Sequence, residues 1–90
     1  MEIDFHHHLL ARMNQRGVAR DEVLETLERG RPGLARQPAE ARVRVFAYGA
    51  EWKGHVYAQK EVTVYFKRSE GELIVLSVIA RYGTGFPREG

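Results

Sequence analysis

From Lys60 to Tyr82 the chain reads KEVTVYFKRSEGELIVLSVIARY, two runs of β-branched and aromatic residues on either side of Arg68-Ser69-Glu70-Gly71. Runs of this kind closed by a Gly-bearing turn predict a β-hairpin. With the turn centred there, Val62, Val64 and Phe66 lie opposite Val78, Leu76 and Ile74, and one face is wholly apolar. A slip of one residue would send that set to the other side, so the pattern specifies its own register. The second face then carries Glu61, Thr63, Tyr65, Ser77 and Arg81, together with Val75 and Ile79. Leu73 to Ala80 is apolar at almost every position, which predicts a strand with neighbours on both sides, the centre of the sheet.

Upstream the period changes from two to about 3.6. His6 to Arg16 places Leu9, Leu10 and Met13 on one stripe, with Asp4 as a cap before it and Gly17 as its stop. A second helix runs from Val18 to Arg29. It turns Val23, Leu24 and Leu27 inward, has Asp21 and Glu22 in its first turn and Arg29 in its last, and stops at Gly30. Glu2 to Phe5 reads equally as a brief edge strand or as an irregular lead-in. Arg31 to Ala41 holds three helix breakers, Pro32, Gly33 and Pro38, and is expected to be a loop. In the strand Arg42 to Tyr48 the small set Val43, Val45 and Ala47 is expected to face the helices, leaving Arg42, Arg44, Phe46 and Tyr48 on the open side. Gly49 to Gln59 is expected to be a long loop or a ragged extension of the next strand, in which the aromatic and basic residues around Trp52 cover a sheet edge or stack on bases. The elements add up to an α+β fold, a two-helix hairpin packed on one face of a small antiparallel sheet of three to four strands. One domain over residues 1–90 is expected, with an ordered core from about 3 to 82 and a flexible tail from 83 to 90 in which Phe86 packs loosely.

Ninety residues without a cysteine exclude disulfides, a thiolate metal site and a cysteine nucleophile. No run approaches the roughly 18 apolar residues of a membrane helix, so no membrane association and a cytoplasmic location are expected. Three adjacent histidines, His6 to His8, point about 100° apart on a helix and do not chelate one ion; no metal and no cofactor are expected. The formal net charge of +2 hides an asymmetry. Val18 to Gly30 has two basic and four acidic residues, whereas Arg31 to Gly90 has ten basic and six acidic ones. Positive charge therefore travels with the strands, as suits a polyanion on the sheet side.

On the open face the pattern interleaves Arg42, Arg44 and Arg81 with Phe46, Tyr48 and Tyr65. Arginine forks grip phosphate and rings stack on bases, a combination suited to irregular or single-stranded RNA. His8, Arg12 and Arg16, spaced by four on the first helix, read as a solvated face or as a cationic ridge at the rim of an anion site. The alternatives are a non-catalytic module binding RNA or protein on this face, and a small oligomer, a homodimer for instance, that buries it.

Three stretches carry a resemblance: His8-Leu-Leu-Ala-Arg12-Met13; Gln15-Arg16-Gly17-Val18 with Glu22-Val23, Leu27 and Gly30; and Val75-Leu-Ser-Val-Ile-Ala-Arg-Tyr-Gly83. Together they resemble a widespread bacterial family of uncharacterised small domains, numbered 4258 among the domains of unknown function. The order of elements is also similar to the RelE superfamily of toxin ribonucleases, whose BrnT branch pairs a basic-Gly-Val turn with a Ser-Ala-Arg run on the last strand. The resemblance implies a metal-independent endoribonuclease. It would act on RNA, in some members at the ribosome, and would be held in check by a small antitoxin protein. It further implies Arg81 as the residue that stabilises the scissile phosphate, with Lys60 as a second phosphate contact, His8 and Arg12 at the rim, and Tyr82 joining only where the strand bends or ends, since alternation puts it on the opposite face. For general base the residues leave His8, His55 and Glu61 open.

Overall fold

The computed structural model describes residues 2–5 and 7–87, with backbone alone for Glu2, Asp4 and His7. Expectations that fall on His6 and on 88–90 lie outside these residues. Seven elements follow in order: β1 (Glu2–Asp4), α1 (His7–Arg16), α2 (Arg20–Arg29), β2 (Arg31–Pro32), β3 (Glu40–Trp52), β4 (His55–Ser69) and β5 (Glu72–Gly83). The sheet has the order β1-β5-β4-β3-β2; β2 to β5 are antiparallel neighbours and β1 joins β5 in parallel. Both helices lie on one face, α1 against β5 and α2 against β4 and β3. We call that face inner and the opposite one outer. The α+β arrangement is the one the periodicities predict.

Under the helices Leu9, Met13, Val18 and Val23 meet Val62, Val64, Phe66, Leu73, Val75 and Val78 in one buried cluster. Phe66 is almost fully enclosed, and burying a side chain of this size contributes about 1.5–3 kcal/mol. Leu10 departs from the expected stripe and faces solvent at 43 % exposure.

Both hairpins turn in two residues, at Lys53-Gly54 and at Glu70-Gly71, all four with positive φ. Such turns match the twist of the strands they join. The first of them decides between the two readings of 49–59: β3 and β4 extend through it as a long hairpin, and it is not a loop.

Three expectations about the sheet are corrected. The first concerns the register of β5. Val64 pairs with Val78, but Phe66 pairs with Val75, because a bulge at Tyr65/Phe66 leaves Leu76 over. An extra residue reverses the alternation. Leu73 and Val75 therefore join Val78 on the inner side, while Leu76 is 47 % exposed.

Second, β4 is the central strand, since β1 pairs with only Glu72, Leu73 and Ile74 of β5. Third, β3 is turned over. Arg42, Arg44 and Phe46 stand opposite Val64, Val62 and Lys60 and share their inner face, and Val43 and Val45 stand opposite Thr63 and Glu61. Ring and stems win the inner side because Phe46 packs against the core and the Arg44 guanidinium ends on Glu25 of α2, at 2.7 Å.

After Gly83 the chain returns over the outer face. The Phe86 N–H donates to Gln59 Oε1 at 2.7 Å and Gln59 Nε2 donates back to the Phe86 carbonyl at 3.2 Å.

Candidate functional site

Strand alternation sends the neighbours Lys60 and Glu61 to opposite faces, and both side chains are buried. On the inner side Lys60 reaches the turn between the helices. Its Nζ donates to Glu22 Oε1 at 2.7 Å and to the Gly17 carbonyl, and lies 5.4 and 5.7 Å from the Tyr48 and Tyr82 ring centres. Glu22 Oε1 also accepts the Ala19 N–H at 2.8 Å, so one carboxylate both caps α2 and neutralises the lysine.

Rings close the space around this pair. Trp52 stacks on Tyr82 at 4.8 Å, and Tyr48 and Tyr57 lean on it at 5.3 and 5.8 Å. The Tyr82 hydroxyl donates to the Arg16 carbonyl at 2.8 Å. Burial pushes that hydroxyl up to about 12, and the neighbouring Tyr48 and Glu22 act in the same direction. With its donors taken by protein acceptors and rings, Lys60 serves as a joint between sheet and helix hairpin.

On the outer side Glu61 sits between two arginines. Arg81 Nε donates to Glu61 Oε1 at 2.9 Å, and Arg31 Nη2 lies 3.7 Å from Oε2. The carboxylate side chain is 10 % exposed, whereas those of Arg31 and Arg81 are 33 % and 62 % exposed. Phe86 lies against Arg81, its ring centre 5.0 Å from the guanidinium carbon. By register Thr63, Tyr65, Ser77 and Ile79 extend this face along the sheet, and Val43 and Val45 flank it. A partly open arginine fork next to a sheltered carboxylate can hold an oxyanion and accept a proton within one small area.

The expected RNA platform is therefore divided. Of its three arginines and three rings, only Arg81 and Tyr65 are on the outer face; Arg42, Arg44, Phe46 and Tyr48 are inner, and Arg44 is committed to Glu25. Lys60 and Tyr82 are on the inner side as well, so neither meets Arg81. His8 and Arg12 line a groove with Leu9 and the start of β5, Ile74 to Ser77, several residues before Arg81. Among the three open candidates for general base, Glu61 is the one hydrogen-bonded to Arg81.

Arg31 was not singled out from the sequence because its segment reads as a loop. Its two-residue pairing with β3, Arg31 opposite Val43, delivers it to the outer face. Among the described residues no group of three His, Asp or Glu side chains is placed to hold a metal ion, and no helix is long and apolar enough to cross a membrane.

Comparison with protein-family models, with curated proteins and with solved structures finds no match to this chain.

Proposed function

We propose that this protein is a small RelE-like, toxin-type RNA-binding protein that cleaves RNA on the outer face of its sheet. Arg81 and Arg31 would take the scissile phosphate, and Glu61 would receive the proton of the ribose 2′-hydroxyl. The observation that carries this reading is the hydrogen bond between Glu61 and Arg81, which joins a sheltered base to an accessible anion-binding fork. In the reaction the 2′-oxygen forms a bond to phosphorus and the bond to the 5′-oxygen breaks. A 2′,3′-cyclic phosphate and a 5′-hydroxyl result, and the leaving oxygen takes its proton from water. Arginine stabilises the charge that grows on the phosphoryl oxygens, the largest contribution such a site makes.

Cleavage of a single-stranded RNA, followed with the parent protein, Arg81→Ala and Glu61→Gln, tests the proposal. Glu61→Gln is expected to retain RNA binding and lose cleavage, and Arg81→Ala to lose both, along with growth arrest on expression. Equal cleavage by Arg81→Ala and parent overturns it.

A second reading is favoured by the same face. Val43, Val45 and Ile79 give it an apolar share that a phosphate site does not use. On that reading the face is a non-catalytic docking surface. It predicts no cleavage by any variant and, where RNA is what the face binds, an association that falls steeply between low and physiological salt.

A further inference from the structure

The two edges of the sheet differ in a way that has a consequence for partners. On the β3 edge, β2 covers Arg42 and Val43, and the strand is then interrupted by a bulge between Ala47 and Ala50, with Gly49 at φ +61°. Bulges and short runs are how edges resist added strands. On the β5 edge, β1 stops at Ile74, and Ser77 to Gly83 then continue in unbroken register with β4 and no strand on their other side among the described residues. This seven-residue stretch has no proline, bulge or lysine.

A groove of about 440 Å³ opens between α1 and the beginning of that edge, lined by His8, Leu9, Arg12 and Ile74 to Ser77. Its size is within the range of sites that take ligands or side chains. Arg12 is exposed, and Arg16 of the same helix donates to the Val78 carbonyl at 2.6 Å. An arginine holding a strand carbonyl is satisfying an acceptor that a neighbouring strand would otherwise take.

We infer that Ser77 to Gly83 is a docking edge for an extended, acidic segment of a partner protein, added as a strand alongside β5. Its backbone would pair with β5, taking the Val78 carbonyl over from Arg16, and its alternate side chains would drop toward α1, where carboxylates meet Arg12 and the released Arg16. Charge chooses this occupant over a second copy. Two copies paired edge to edge would bring Arg12 and Arg16 of both α1 helices toward each other, with Glu72 at the start of β5 as the nearby acidic side chain. Like charges so placed oppose association, and opposite charges favour it.

Two synthetic peptides of alternating valine and glutamate, or valine and lysine, serve as probes. The glutamate peptide is expected to bind at least about tenfold more tightly and to slow amide exchange at Ser77 to Gly83. Arg12→Glu and Ile79→Lys, both at exposed positions, should each weaken it by about tenfold or more without altering the circular dichroism spectrum. Equal binding of the two peptides overturns the inference, as does the absence of protection at this edge. So does concentration-dependent protection of the same amides without peptide, which would assign the edge to self-association. None of these measurements depends on RNA cleavage, so this edge and the Glu61 site stand or fall separately.

Discussion

Lys60 and Glu61 are neighbours in sequence, each buried and each ion-paired, yet they do opposite things. The lysine is enclosed by Glu22, the Gly17 carbonyl and the rings of Tyr48 and Tyr82, the second of them covered in turn by Trp52. The glutamate is sheltered, but its hydrogen-bond partner is not: Arg81 is more than half exposed. Burial of a charge therefore does not by itself mark a working site. What separates the two is whether the opposite charge can also reach something outside the chain. The inner pair satisfies its groups with the chain's own atoms and joins layers. The outer pair leaves guanidinium hydrogens facing solvent.

Removing each cation in turn is the strongest way to break that comparison. Lys60→Ala leaves the Glu22 carboxylate without its partner and a void beneath Tyr48 and Tyr82. Breaking a buried pair from one side costs about 3–5 kcal/mol. Glu22 retains 21 % exposure and some hydration, so about 3 kcal/mol is expected, a fall in Tm of roughly 10 °C or more by thermal denaturation. Arg81→Ala leaves the sheltered Glu61 with Arg31, at 3.7 Å, as its remaining cation, and is expected to cost less, about 1–2 kcal/mol. On the proposed function its main effect is on RNA cleavage, which should fall by about a hundredfold or more, the usual loss when one oxyanion donor is removed. If Lys60→Ala proved as stable as the parent, or if Arg81→Ala unfolded the protein, the contrast would be wrong.

Much of the inner side was legible. Period-two alternation found β4, period 3.6 found both helices, and the charges of α2 marked its ends. The local rules failed where a single residue changes parity. Leu76 and Ile74 belong to the apolar pattern, but the bulge at Tyr65/Phe66 hands their places to Leu73 and Val75, and no composition signal announces a bulge. In β3 the alternating segment Arg42 to Tyr48 fits either face. Size and polarity favour the smaller apolar set as core, whereas the deciding contacts, Arg44 with Glu25 and Phe46 with the cluster, are made with elements distant in sequence. The Trp52-Lys53-Gly54-His55 turn was readable in principle, since a Gly-ending pair between alternating runs signals a tight hairpin. On the outer face Arg81 was legible and Arg31 was not, because a two-residue strand is too short to show a period.

The comparison sharpens at Gly17, where the inner joint meets the helix turn. Gly17 has φ +70°, and a Cβ there would lie 2.5 to 2.7 Å from Trp52 and the Tyr82 hydroxyl. Gly17→Ala therefore strains the backbone and pushes the rings off Lys60, at a cost of about 1–3 kcal/mol. The outer site should be unaffected. Chemical denaturation should show a lower midpoint, and RNA cleavage measured well below that midpoint should be unchanged. A variant that kept its stability would mean that the rings do not close over the turn as described.

The smallest effect tests the same joint by pH. Because the Tyr82 hydroxyl is raised from 10.0 to about 12 in the folded chain, the neutral form is the one the fold favours. The unfolded chain gives up this proton near pH 10, earlier than the folded chain does. The stability that the neutral phenol contributes is therefore complete below pH 10 and declines as pH rises from 10 toward 12. Tyr82→Phe removes that portion of the decline and also the hydrogen bond to the Arg16 carbonyl, which contributes about 1 kcal/mol at neutral pH. Denaturation midpoints across this interval should therefore fall more steeply for the parent than for Tyr82→Phe. Parallel curves would show that the ring hydroxyl is solvated, and that the inner pair is no better enclosed than the outer one.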